Sequence, residues 1–148
     1  VRIPWREVSR HFDGSGEGSL PDGVVHGTTG ADHALLLLRY QALGWRVEQD
    51  GRRLEATGLR PTEDGELPTV FVRPDATVSM NLFLWPGDEI AFDVDAREIH
   101  DQATFDTVCR FVVETGRALA ADVDLCPEGT TSPFLRYTAR TDSVALSP

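Results

Sequence analysis

Between Val78 and Asp95 apolar and polar residues alternate across a Pro86-Gly87-Asp88 turn. This alternation constrains the fold more than any other stretch of the chain. A period of two means strand, with one face buried and one open. A two-residue turn would set Leu84 opposite Glu89. A three-residue loop instead pairs Leu84 with Ile90, Leu82 with Phe92 and Met80 with Val94. The second register is predicted, because a one-residue slip carries a whole strand face to the wrong side. The opposite face then carries Phe83, Trp85, Glu89, Asp93 and Asp95, with Asn81 across from Asp93.

A long helix follows, about Asp101–Ala121, with Asp101 or Thr104 as its cap. Phe105, Val108, Cys109, Val112, Gly116 and Leu119 form the predicted buried stripe at helical spacing, flanked by Phe111 and Val113. Upstream, Thr29-Gly30-Ala31-Asp32 has the form of a capping box. It opens a second helix that stops at Gly44. Ala34, Leu35, Leu38 and Ala42 are its predicted central stripe, with Leu36, Tyr40 and Leu43 beside it.

Asp50-Gly51 is a two-residue hairpin turn that tolerates positive φ. It pairs Val47 with Leu54 and Trp45 with Ala56 on one face. On the other it pairs Glu48 with Arg53 and Arg46 with Glu55, acid against base. Further strands are predicted near Leu20–His26, Thr69–Arg73 and Val123–Leu125, and in a last hairpin, Phe134–Tyr137 with Ser143–Leu146. Pro4 to Phe12 reads as a short N-terminal helix with Trp5, Val8 and Phe12 on one face. Asp13–Ser19 and Gly58–Leu67 read as loops. The fold class is α+β, a mainly antiparallel sheet with two principal helices on one face. One domain spans residues 1–148, a length that can bury a core without metal or disulfide staples.

The net charge of −10 repels nucleic acid and anionic membrane and favours a basic partner. All 14 basic residues are arginine, so no Schiff-base or phosphate-loop lysine exists. With abundant Ala, Gly, Val and Asp, this composition suggests a GC-rich coding sequence. No apolar run approaches the ~20 residues of a membrane span, and the first residues lack a signal peptide's apolar segment. A cytoplasmic location is therefore expected. Cys109 and Cys126 make no metal spacing and read as buried thiols.

Asp93 and Asp95, with Glu89 on the same strand face, could hold a hard cation or form half of an acid/base pair. In a chain this acidic, two acids in a period-two strand arise freely, and a solvated face or partner surface is the favoured reading. His11, His26, His33 and His100 share no metal-binding or catalytic spacing and read as surface histidines. The glycine-rich Asp13–Ser19 run lacks the lysine of a phosphate loop. Arg136, Tyr137 and Arg140 read as surface residues of the last hairpin. No cofactor, metal ligand or catalytic residue is assigned. Phe83 and Trp85 carry more weight: either the N-terminal segment or a loop covers them, which is the favoured reading, or large aromatic side chains stand beside acids in solvent and mark an interaction patch.

The layout resembles the small acidic α+β immunity partners of bacterial polymorphic toxins. The resemblance rests on the acid-rich strand Asp88–Asp95, the helix Phe105–Leu119 and the hairpin Phe134-Leu135-Arg136-Tyr137 with Ser143-Val144. It implies a non-catalytic protein-binding module that occludes a basic toxin. The predicted interface is Phe83, Trp85, Glu89, Asp93 and Asp95. A small-ligand-binding or regulatory domain and a hydrolase using the acidic pair are the alternatives.

Overall fold

The computed structural model describes residues 2–13, 20–54, 69–85 and 87–148. Strand β1 (Asp22–Val25) leads through a 3-10 turn (Gly30–Asp32) into helix α1 (His33–Ala42). Five strands follow: β2 (Arg46–Gln49), β3 (Arg52–Arg53), β4 (Val70–Arg73), β5 (Met80–Phe83) and β6 (Ile90–Val94). Helix α2 (Gln102–Leu119) precedes β7 (Val123–Cys126), β8 (Leu135–Thr138) and β9 (Ser143–Leu146). The nine strands form one antiparallel sheet in the order β3-β2-β4-β5-β6-β1-β7-β8-β9. The protein is α+β, with both helices packed against one face of this sheet.

The order explains the helices. β1 lies between β6 and β7 and is antiparallel to both, so β6 and β7 run parallel. Parallel strands need a crossover, and α2 supplies it. β1 and β2 also run parallel, with β6, β5 and β4 between them, and α1 is their crossover. The two crossovers meet: Tyr40 Oη and Thr115 Oγ1 are 2.6 Å apart, and the Arg39 guanidinium pairs with Glu114 at 2.6 Å.

Local chemistry sets the two predicted registers. Asp50 and Gly51 have φ of 51° and 75°, the left-handed pair a two-residue hairpin turn requires. Glu48 faces Arg53, and Leu54 N donates to Val47 O at 2.8 Å. The pairs Trp45–Ala56 and Arg46–Glu55 and the loops at Asp13–Ser19 and Gly58–Leu67 lie wholly or partly outside the described residues. Between β5 and β6, Met80 faces Val94, Asn81 faces Asp93, Leu82 faces Phe92 and Phe83 faces Ala91, as the three-residue loop predicts. On α2, Thr104 N donates to Asp101 Oδ1 at 2.8 Å while Asp101 N donates to Thr104 Oγ1 at 3.2 Å. Both cap candidates therefore serve, as the two halves of one capping box.

Four expectations are corrected. The N-terminal segment forms two 3-10 turns, Trp5–Glu7 and Ser9–His11, in place of an α-helix. Nine residues are too few for a cooperative helix, and the docking of Trp5 and Phe12 on Phe105 and of Phe12 on Phe134 decides the backbone. On α2 the buried stripe is rotated toward Phe111, which is fully buried, while Cys109 and Leu119 are half-buried. Tyr137 is buried rather than on the surface; it lies over Gly116 and donates through its hydroxyl to Asp142 at 2.8 Å.

The largest correction is on α1. Leu36, Leu37 and Tyr40 are buried, whereas Ala34, Leu35, Leu38 and Ala42 are exposed. Four consecutive leucines offer the helix no periodic preference for one face. Tyr40 breaks the tie: its ring stacks on Trp45 at 5.2 Å and Phe111 at 5.5 Å, and its hydroxyl finds Thr115. Turning Leu35 and Leu38 inward would rotate that ring out of its stack.

Candidate interaction surface

With both helices on one side, the other side of the sheet presents the alternate residues of each strand. Asp22, Asp93, Asn81, Phe71 and Glu48 form one row across five strands. Arg136, Asp124, Val24, Ala91 and Phe83 form the next. Trp85 and Glu89 extend this face just past β5 and just before β6. The described N-terminal residues pack against α2 and against Phe134, just before β8.

Phe83 and Trp85, two positions apart, stack with ring centroids 5.1 Å apart and an interplanar angle of 18°. Trp85 is 46% exposed and Phe71, further along the face, is 39% exposed. Glu89 is also exposed; it accepts from Gly27 N at 2.6 Å and lies 3.6 Å from His26 Nδ1. Phe83, Trp85 and Glu89 thus gather at one end of the β5–β6 hairpin.

Asp93 and Asp95 lie toward its other end, roughly 13 and 20 Å from Glu89 at the rise of a strand. Asp93 accepts from Asn81 Nδ2 at 2.6 Å and faces Asp22 across the β1–β6 ladder. Burial pushes its carboxyl above the usual range, opposed by the Asn81 bond and reinforced by Asp22, Glu128 and Asp95. Asp95 has a partner in its own chain. It caps the 3-10 turn Ala96–Glu98, accepts from Arg97 N at 2.9 Å and pairs with the Arg97 guanidinium at 2.8 Å. The Arg97 hydrogen bond outweighs the effect of burial and holds its carboxyl below the usual range. The five predicted residues share one face and form no single pocket.

The raised Asp93 carboxyl carries a sign that can be checked. An acid with a raised folded pKa binds its proton more tightly in the native state, so its ionisation opposes folding above that pKa. Asp93→Asn keeps an acceptor for Asn81 and removes the charge. It should raise the melting temperature at pH 7 by no more than about 2–4 °C, the shift that ~1 kcal/mol produces in a domain of this size. At pH 2, where the Asp93 carboxyl is protonated in both the folded and the unfolded protein, the gain should vanish. A loss of stability at pH 7 would contradict this account.

A network that sequence reasoning passed over lies beside the aromatic pair. Asp124, only 3% exposed, receives Arg136 Nε at 2.5 Å, Arg136 Nη2 at 2.7 Å and His26 Nε2 at 2.8 Å. Burial raises its carboxyl, but the bonds from Arg136 and His26 outweigh that and hold it below the usual range. Through His26 the network reaches Glu89. The cross-strand match of Asp124 with Arg136 was a usable signal, whereas His26 required the strand order. At the sheet margin, Gly44, Arg46, Glu48, Arg73, Pro74, Asp75 and Ala76 line an open groove of about 500 Å³. There both guanidinia pair with Glu48, at 2.7 and 3.2 Å.

Among the described residues no group of three or more His, Cys, Asp or Glu side chains is disposed to hold a metal ion. No described helix is long and apolar enough to cross a membrane. Cys109 and Cys126 are both free. Burial pushes the Cys109 thiol up to about 12 and raises that of Cys126, which makes both poor nucleophiles. No protein-family model, curated protein or solved structure matches the chain.

Proposed function

We propose that this chain is a non-catalytic binding module whose open sheet face engages a basic protein, as an immunity protein engages the toxin it neutralises. The observation that carries this reading is the stacked Phe83–Trp85 pair, with Trp85 exposed beside Glu89 on a face neither helix covers. Large rigid aromatic side chains concentrate binding energy at small ordering cost. The acids around them, within a net charge of −10, speed association with a cationic surface and select against acidic ones. The two free thiols suit a reducing cytoplasm, which is the compartment proposed.

The test is capture from lysate of the source cells, followed by binding measurements on the purified partner. The expected partner is a basic protein bound one to one, whose toxicity on expression is relieved by co-expressing this chain. Trp85→Ala should weaken the complex at least ~10-fold, about 1.4 kcal/mol, because an exposed anchor contributes to binding and little to folding. Glu89→Gln should act mainly on the association rate at low salt. An acidic partner, or a complex indifferent to Trp85→Ala, would sink the assignment.

A further inference from the structure

We propose that the outward face of α1 joins two copies of this chain about a twofold axis. Leu35 is 62% exposed and Leu38 48%, the two most exposed leucines among the described residues. Ala31, Ala34 and Ala42 are exposed with them. The spacings of three and four residues place all five side chains on one side of the helix and its 3-10 lead-in. A contiguous apolar strip on so acidic a chain marks a contact surface.

The pattern of this strip selects its occupant. A twofold contact must be self-complementary, since each residue meets its counterpart reversed. With the axis at the level between Leu36 and Leu37, Leu35 meets Leu38 of the second copy. Ala31 then comes level with Ala42, so these two pairs match large to large and small to small, while Ala34 comes level with Arg39 of the second copy. The charges agree: Asp32 of one copy comes within about 3 Å, along the helix axis, of the level of Arg39 of the other. A partner of different sequence would require no such palindrome. Arg39 is already oriented by Glu114, through Nε at 3.0 Å and Nη2 at 2.6 Å, and so enters the contact at reduced entropic cost.

The contact is small. Ten helical residues span about 15 Å, and one such face falls short of the ~800 Å² per partner of a standard interface. The dimer should therefore dissociate in the micromolar range or above. Each copy carries −10, so the two repel one another, and salt that screens this repulsion should tighten the dimer.

Sedimentation velocity on the full chain tests the proposal, from about 5 to 500 μM and in both low and ~0.5 M salt. The expected result is a monomer–dimer equilibrium that shifts toward dimer with concentration and salt. Leu38→Glu should weaken it at least ~10-fold, since a glutamate would be set against Leu35 of the second copy. The circular dichroism and melting temperature of this variant should match the parent, because Leu38 lies outside the core. Chains carrying Leu35→Cys and Leu38→Cys, mixed under mild oxidation, should cross-link to each other faster than either does to itself. A monomer at the highest concentration would overturn the proposal and leave the face to another occupant. A dimer that salt loosens, or that Leu38→Glu leaves intact, would also overturn it.

Discussion

Truncating Phe111 to alanine is expected to lower the unfolding free energy by about 3–5 kcal/mol, the range for a fully buried aromatic side chain. Phe111 is fully buried at the junction of three elements. Its ring lies 5.5 Å from Tyr40 of α1, 6.2 Å from Trp45 before β2, and edge-on at 5.0 Å from Phe92 of β6. The cavity left by truncation would be walled by rigid rings, which collapse poorly, so the upper part of the range applies. Against a total stability of ~5–15 kcal/mol, this is enough to unfold a marginal domain. Urea unfolding gives the cost, and the near-ultraviolet circular dichroism of the Tyr40–Trp45 stack reports the local loss. Leu119→Ala, at a residue only half-buried, should cost distinctly less. If the two variants cost the same, α2 does not face the core as described.

The second large effect is at Gly23, and it runs in the opposite direction, through too much volume. A Cβ placed there would lie 2.0 to 2.3 Å from ring atoms of Phe92, its partner across the β1–β6 ladder. Phe92 cannot retreat, because Phe111 is set against it and its own side chain is 1% exposed. Gly23→Ala should therefore cost about 1–3 kcal/mol as overpacking. This outcome would exceed the ~0.4–1 kcal/mol that alanine gains by restricting the unfolded chain. A double-mutant cycle separates the cause from a general loss of strand structure. With Phe92→Leu as background, the added methyl group has room, and Gly23→Ala should become nearly neutral. Additivity of the two substitutions would refute the steric account.

Reading from the chain reached contacts between sequence neighbours and missed distant ones such as these. The alternation around Gly87 and the Asp50-Gly51 turn set their registers correctly, because both depend on contacts between neighbours in sequence. The acid–base match of Glu48 with Arg53 and the capping box at Asp101 belong to the same class. The packing of Gly23 under Phe92 joins residues far apart in the chain, and no local pattern announces it.

The candidate surface divides the same way. Period-two geometry alone places Phe83, Trp85, Glu89, Asp93 and Asp95 on the side away from the helices. What each acid does there depends on its neighbours in space: Asp93 faces Asp22 of β1, Glu89 receives Gly27 N and lies near His26, and Asp95 is occupied by Arg97. All but the last of these partners come from the segment at and just after β1.

Turn chemistry, capping and alternation were decided within the sequence by interactions over a few residues. They determined the order of elements, the two hairpin registers and the two faces of the β5–β6 pair. The position of β1 between β6 and β7, the exposed leucines of α1 and the His26–Asp124–Arg136 network were decided only by tertiary structure. In each case several arrangements satisfied the local rules equally, and packing between distant segments selected one.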